Sequence, residues 1–163
     1  MKGLMISFAA LALSGCGLQP MYAGGGNGAV AQGLAAVEVP PIEGRAGWLV
    51  RNALSDRLGA AGEANTRYRL DVRLDENLEG LGVVGDDAVS RERLILRARY
   101  QLVDATTDDI LLDASDAVDA GIDVVSSEYA VIAAEQTAQE RLAKTLADRM
   151  IARVSLALRK RAE

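Results

Sequence analysis

Two kinds of side chain in this sequence could do chemistry: one thiol, and a set of arginines spaced along alternating positions. Cys16 is the only cysteine. A lone thiol closes no intramolecular disulfide, and left free in an oxidising compartment it is a liability, so covalent modification is the chemistry to look for there. The arginines are Arg67, Arg69 and Arg73 in one segment and Arg91, Arg93, Arg97 and Arg99 in another. The guanidinium is a planar fork of donors that matches phosphate or carboxylate bidentately. Histidine is absent from the chain, which removes Ser-His-Asp and Cys-His nucleophilic sites and His-containing zinc sites. No glycine-rich stretch carries a P-loop ending or the dinucleotide-binding pattern. The adjacent carboxylates Asp86-Asp87 and Asp108-Asp109 read as solvated turn residues rather than as an acid/base pair. The residues therefore predict a protein that is not an enzyme and uses no metal or cofactor.

The elements that must position the arginines follow from periodicity. From Thr66 to Leu74 the chain alternates strictly. Tyr68, Leu70, Val72 and Leu74 point one way, and Arg67, Arg69, Asp71 and Arg73 the other. Val89 to Val103 repeats this with Leu94, Leu96, Ala98, Tyr100 and Leu102 opposite the arginines, interrupted by Ile95. Period-2 alternation is the signature of a half-buried strand. If the two strands are neighbours, the arginines share one face. They would then either bind an anionic partner or pair across strands with Asp71, Asp113 and Asp119; both readings stay open. Asp75 to Ala88 reads as a long loop containing Gly80, Gly82 and Gly85, and one unusually rich in apolar residues (Leu78, Leu81, Val83, Val84). Asp104 to Asp109 reads as a polar turn, and Ile110 to Asp119 as a fourth strand whose register Asp116 confuses by falling on the apolar face.

Helical spacing accounts for the rest. Gly44 to Leu58 carries Val50, Leu54 and Leu58 at i+4 spacing, with Trp48 expected to pack in the core or at its rim. A second helix is predicted from a Ser126 or Ser127 cap to about Lys160. Its stripe is Tyr129, Ile132, Leu142, Leu146, Met150, Val154 and Leu158, and Arg159, Lys160 and Arg161 suit its negative end. Leu34 to Val39, stopped by Pro40-Pro41, reads as a short first strand. The predicted fold is α+β: a two-layer sandwich in the order β-α-β-β-β-α. It has a four-stranded, mostly antiparallel sheet with two helices on one face and the arginines on the other.

The N-terminus places this domain. Lys2 precedes an apolar run from Leu4 to Leu13, broken only by Ser7. That run is too short to span a bilayer, for which about 20 residues are needed, but it fits the core of a signal peptide. It ends in Leu13-Ser14-Gly15-Cys16, which resembles the lipobox of bacterial lipoproteins; the plainer alternative is an ordinary signal peptide followed by a chance cysteine. The lipobox resemblance implies cleavage before Cys16 and lipid on its thiol and new amine, palmitate among the acyl chains. Each buried methylene adds about 0.8 kcal/mol, and two or more chains hold firmly. Gly17, where an aspartate often retains such proteins at the inner membrane, implies sorting to the outer membrane. The chain thus divides into a signal peptide at 1–15, a lipidated cysteine and glycine-rich tether at 16–33, and one domain at 34–163. A formal net charge of -5 argues against nucleic acid as a partner.

Several blocks together resemble one family. Gly15 to Tyr22, Val37 to Arg45, Leu49 to Leu54, Tyr68-Arg69-Leu70, Arg93-Leu94, Ala98 to Leu102 and Ser127 to Ala130 occur in an order and spacing similar to the LptE family of lipopolysaccharide-assembly lipoproteins, in its alphaproteobacterial form. The Leu18 to Met21 segment departs from the family in being less aromatic. The resemblance implies a lipid-anchored protein on the periplasmic side of the outer membrane. Its partners would be the β-barrel LptD, which it plugs and helps to assemble, and lipopolysaccharide, which the pair inserts into the outer leaflet. The arginines listed above become candidate contacts to lipopolysaccharide or to the barrel. Two other classes of small anchored α+β lipoprotein fit the same chemistry: an auxiliary subunit of a lipid-trafficking ABC system, and an activator of a cell-wall synthase.

Overall fold

The computed structural model describes residues 28–58, 66–84 and 88–162. Cys16, the expected signal peptide at 1–15 and most of the segment expected to be a tether lie outside them. The elements in chain order are α1 (Ala29–Ala35), β1 (Val37–Glu38), α2 (Gly44–Leu58), β2 (Tyr68–Val84), β3 (Ala88–Asp104), β4 (Ile110–Asp123) and α3 (Glu128–Ala162). The sheet order is β1-β2-β3-β4. β1 runs parallel to β2, and the other pairings are antiparallel. The α+β architecture with helices packed on the sheet is the one the alternation and the i+4 stripes predict.

The core lies where the apolar faces meet. Val50, Leu54, Leu70, Leu102, Leu146, Met150 and Val154 are fully buried, joined by Tyr100 and Leu96. α2 matches its predicted span because its stripe has α3 and the sheet edge to pack against. It is pinned at its middle and its C-terminal end: Arg51 Nε donates to Val39 O at 3.0 Å, and Arg57 ion-pairs with Asp148 of α3. Gly47 lets α2 approach the preceding loop, for an added Cβ would lie 2.6 Å from the carbonyl oxygen of Ile42. Ser155, buried within α3, satisfies its hydroxyl by donating to Ile151 O at 2.7 Å.

Several expectations need correction. Leu34 and Ala35 are helical, not strand, so β1 shrinks to Val37–Glu38. The same helix, α1, takes the end of the segment read as tether. Gly33 sits there for closeness rather than for flexibility, since a Cβ would stand 3.3 Å from Leu158 of α3. The supposed loop Asp75–Ala88 is mostly strand. β2 continues to Val84 and β3 begins at Ala88, paired in register as far as Val84 with Ala88. β4 likewise runs on past Asp119 to Asp123. Finally, Trp48 is 61% exposed, and the α3 stripe is buried only from Ala138 onward: Tyr129 is 87% exposed and Ile132 42%. A stripe records which residues can be buried, and burial requires a neighbour.

Asp116 is resolved by its partners. It lies on the core face, where its carboxylate accepts the Tyr100 hydroxyl at 2.6 Å and Arg153 of α3 at 3.0 Å. Burial first, then the hydrogen bond and charge of Asp116, pushes the Tyr100 hydroxyl well above its ordinary pKa. A carboxylate on an apolar face is tolerable when it is paired in this way.

Candidate functional site: the arginine face

Pairing of β2, β3 and β4 brings most of the predicted arginines onto one face. Its rows are set by register: Asp71–Gln101–Asp113, Arg73–Arg99–Ser115, Asp75–Arg97–Ala117, Glu79–Arg93–Gly121 and Leu81–Arg91–Asp123. Arg67 stands apart. It precedes β2, and its guanidinium lies over the Tyr68 ring, 5.3 Å from the centroid, an arrangement that favours a cation. It lines a groove with α1 and Arg161 at the other side of the domain.

Ion pairs occupy much of the strip. Arg69 meets Asp71 on its own strand at 3.0 Å. Arg91 meets Asp123 at 2.9 Å and Arg93 meets Asp119 at 3.0 Å, both across to β4. Arg99 grips Asp113 with two nitrogens, Nε at 3.3 Å and Nη2 at 3.0 Å. Gln101 donates to the same carboxylate at 2.8 Å. These bonds, Arg99 first and Gln101 next, hold the Asp113 carboxyl below its usual range, and Asp113 in turn raises Arg99. Pairing with Asp71, Asp113 and Asp119 was legible in the sequence. Asp123 was missed because β4 was read as ending before it.

Two arginines differ. Arg73 and Arg97 have no ion-pair partner among the described residues. With Arg99 they border an open groove of about 500 Å³ in the middle of the face, where β4 contributes the small Ser115 and Ala117 with Asp116 between them. Counted as a whole, the face is balanced: Arg69, Arg73, Arg91, Arg93, Arg97 and Arg99 stand against Asp71, Asp75, Glu79, Asp113, Asp119 and Asp123. It can therefore present hydrogen-bonding charge to a polar partner without a strong net field. Among the described residues no group of carboxylates is placed to hold a metal ion, and no helix is long and apolar enough to cross a membrane.

Known proteins share this fold. A crystal structure from Caulobacter crescentus CB15, described as a lipoprotein, superposes with a TM-score of 0.69 at 28% identity, over 82% of this chain and 98% of that one. A minor lipoprotein of Acinetobacter baumannii (TM-score 0.56, 18% identity, 74% of this chain and 90% of that one) shares the fold. So does the rare lipoprotein B of Shewanella oneidensis (TM-score 0.55, 14% identity, 78% and 98%). No curated protein matches the chain. The LptE family model, described as lipopolysaccharide-assembly, matches residues 34–154, a span that runs from α1 through most of α3 and includes the whole arginine face. The chain belongs to the LptE family, whose members are lipopolysaccharide-assembly lipoproteins rather than enzymes.

Proposed function

We propose that this protein is lipidated on Cys16, held on the periplasmic side of the outer membrane, and seated in the lumen of the LptD β-barrel. There it supports barrel assembly and the insertion of lipopolysaccharide into the outer leaflet. The observation that carries the reading is the balanced charge of the sheet face. Outer-membrane barrels are apolar outside and polar within. A plug must offer hydrogen-bonding groups to that wall without a large net charge to desolvate. The opposite face is spent on the protein's own core, which leaves the polar face and the far end of the β2–β3 hairpin for partners. Arg67, Arg69, Arg73, Arg91, Arg93, Arg97 and Arg99 are the proposed contacts to lipopolysaccharide or the barrel.

Isolation of the full chain from detergent-solubilised membranes tests this. The expected co-purifying species is a large outer-membrane barrel at one-to-one stoichiometry. Recovery of an inner-membrane transporter or a penicillin-binding protein in its place would overturn the assignment. The anchor is tested separately: Cys16→Ala should abolish acylation and leave unprocessed or mislocalised chain. A wild-type mature N-terminus that starts downstream of Cys16 with no lipid mass would end that part of the reading.

A further inference from the structure

We propose that Arg73, Arg97 and Arg99, with the Ser115 hydroxyl, form a subsite for one phosphoryl group, and that the remaining arginines of the face, held in ion pairs, are left to meet the barrel. This rests on the lipopolysaccharide-assembly reading and deepens it by naming which residues take the ligand and what part of the ligand they take.

The argument begins with an exception to a rule the sheet otherwise keeps. Arg69, Arg91, Arg93 and Arg99 each have a carboxylate within ion-pairing distance. Arg73 is set directly opposite another arginine, Arg99, and Arg97 follows two residues along the same face. Like charges directly opposite one another on a sheet are unfavourable. The chain is not short of acids, with 23 carboxylates to 18 basic residues, yet among the described residues no ion pair reaches Arg73 or Arg97. Asp113 is already held by Arg99 and Gln101. Asp75, opposite Arg97 in the register, is the one remaining acid on this face at the groove. An anion from outside relieves the repulsion.

The shape of the site selects the anion. Ser115 and Ala117 leave space over β4 where longer side chains would fill it, so the three guanidinium groups border an open groove of about 500 Å³. Three cations and a hydroxyl offer more donors than the two oxygens of a single carboxylate can accept. A phosphomonoester carries about -1.5 to -2 charges and three acceptor oxygens, and arginine binds such groups through its fork. The group can be presented by a lipid headgroup or as free phosphate.

The experiment uses the full chain in non-ionic detergent. It is titrated with micelles containing bis-phosphorylated lipid A, with the same lipid dephosphorylated, and with inorganic phosphate. The phosphorylated lipid should bind, more weakly as salt rises. Arg73→Gln with Arg97→Gln should reduce that affinity about tenfold or more, the loss expected when charge-assisted bonds go, while Lys144→Gln, at an exposed position of α3 away from this face, stays within about twofold. The ligand-free double variant should melt at or above the wild-type temperature, because it removes like charges and no ion pair. Inorganic phosphate binding as tightly as the lipid supports the subsite and makes free phosphate its source. Equal binding of the dephosphorylated lipid, an unchanged affinity in the double variant, or a lowered melting temperature without ligand would each overturn the proposal. Barrel co-isolation reads the other hypothesis independently. If the wild type fails to capture the barrel while phosphate still binds, the plug reading falls and the subsite stands. If phosphate does not bind and the double variant loses the barrel, the anion is a barrel carboxylate and the phosphoryl subsite is wrong.

Discussion

The two ends of the β2–β3 ribbon have the same kind of sequence and different surroundings. At one end, Leu70 pairs with Leu102 and Val72 with Tyr100, beneath α2 and the later part of α3, and Leu70, Leu102 and Tyr100 are almost fully buried. At the other end, Leu78 and Leu81 remain 45% and 39% exposed. α3 divides in the same way. α2 lies beside its Gln139–Asp148 stretch, tied by Arg45 to Gln139 at 3.0 Å and by Arg57 to Asp148. Upstream of that stretch, Tyr129 and Ile132 face solvent. The difference teaches that the helix count limits the core. Two long amphipathic elements outrun the two short helices that cover them, so the far end keeps apolar surface that is free for a partner.

Truncation should separate the ends most sharply. Leu146→Ala, at a fully buried position of α3, is expected to cost about 2–5 kcal/mol. Ile132→Ala, on the same stripe four turns earlier, should stay within about 0.5 kcal/mol as an exposed change. Chemical denaturation of the two variants measures both, and comparable losses would mean that the far end is packed after all. A smaller effect is expected at the polar tie inside the covered end. Tyr100→Phe removes the hydroxyl that donates to Asp116 at 2.6 Å and should cost about 1 kcal/mol. Asp116→Ala should cost more, because it leaves both the Tyr100 hydroxyl and Arg153 without their acceptor.

Legibility in the sequence followed the same division. α2 and the alternating halves of β2 and β3 were readable because each has a neighbour to hide one face from water, and such burial writes a period into the residues. The far half of the hairpin has no such writing. Leu81 stands on the charged face beside Arg91, and Gly80 and Gly82 look like loop punctuation, although they lie within a paired strand. α1 was hidden for another reason: Ala29 to Ala35 is small throughout, and Gly33 reads as flexibility when its role is close packing on Leu158. For the arginine face, residue types and alternation predicted the strip, but only register could show that Arg73 and Arg97 lack carboxylates. A one-residue slip would have re-dealt every pair.

The smallest expected effect is also the one that opposes the two ends in sign. In the covered region Arg57, through its hydrogen bond and charge, lowers the Asp148 carboxyl below its ordinary value of 3.8. A depressed folded-state pKa contributes stability above the unfolded value, and that contribution is lost as pH falls through the folded one. At the far end Glu135 of α3 is raised above 4.5, first by burial and then by the charge and hydrogen bonding of Glu92. Glu92 lies in β3 opposite Gly80 and Ile122, and its Oε2 is buried without a hydrogen-bond partner. A raised carboxyl pKa contributes stability below 4.5, and that contribution is lost as pH climbs through the folded value. Mild acidification from neutral pH should therefore first tighten the start of α3 against the hairpin, and stronger acid should then loosen the α2–α3 tie. Both groups are partly exposed, so each effect should amount to about 0.5 kcal/mol or less. Amide hydrogen exchange followed along α3 resolves them by position. Protection near Glu135 should rise as pH drops toward 4.5, after correction for intrinsic rates, and Glu135→Gln should make it independent of pH. Protection near Asp148 should fall only below 3.8. A response of the same sign at both ends, or one that persists in Glu135→Gln, would mean that the two carboxyls do not meet across the hairpin and that the far end is held by its apolar contacts alone.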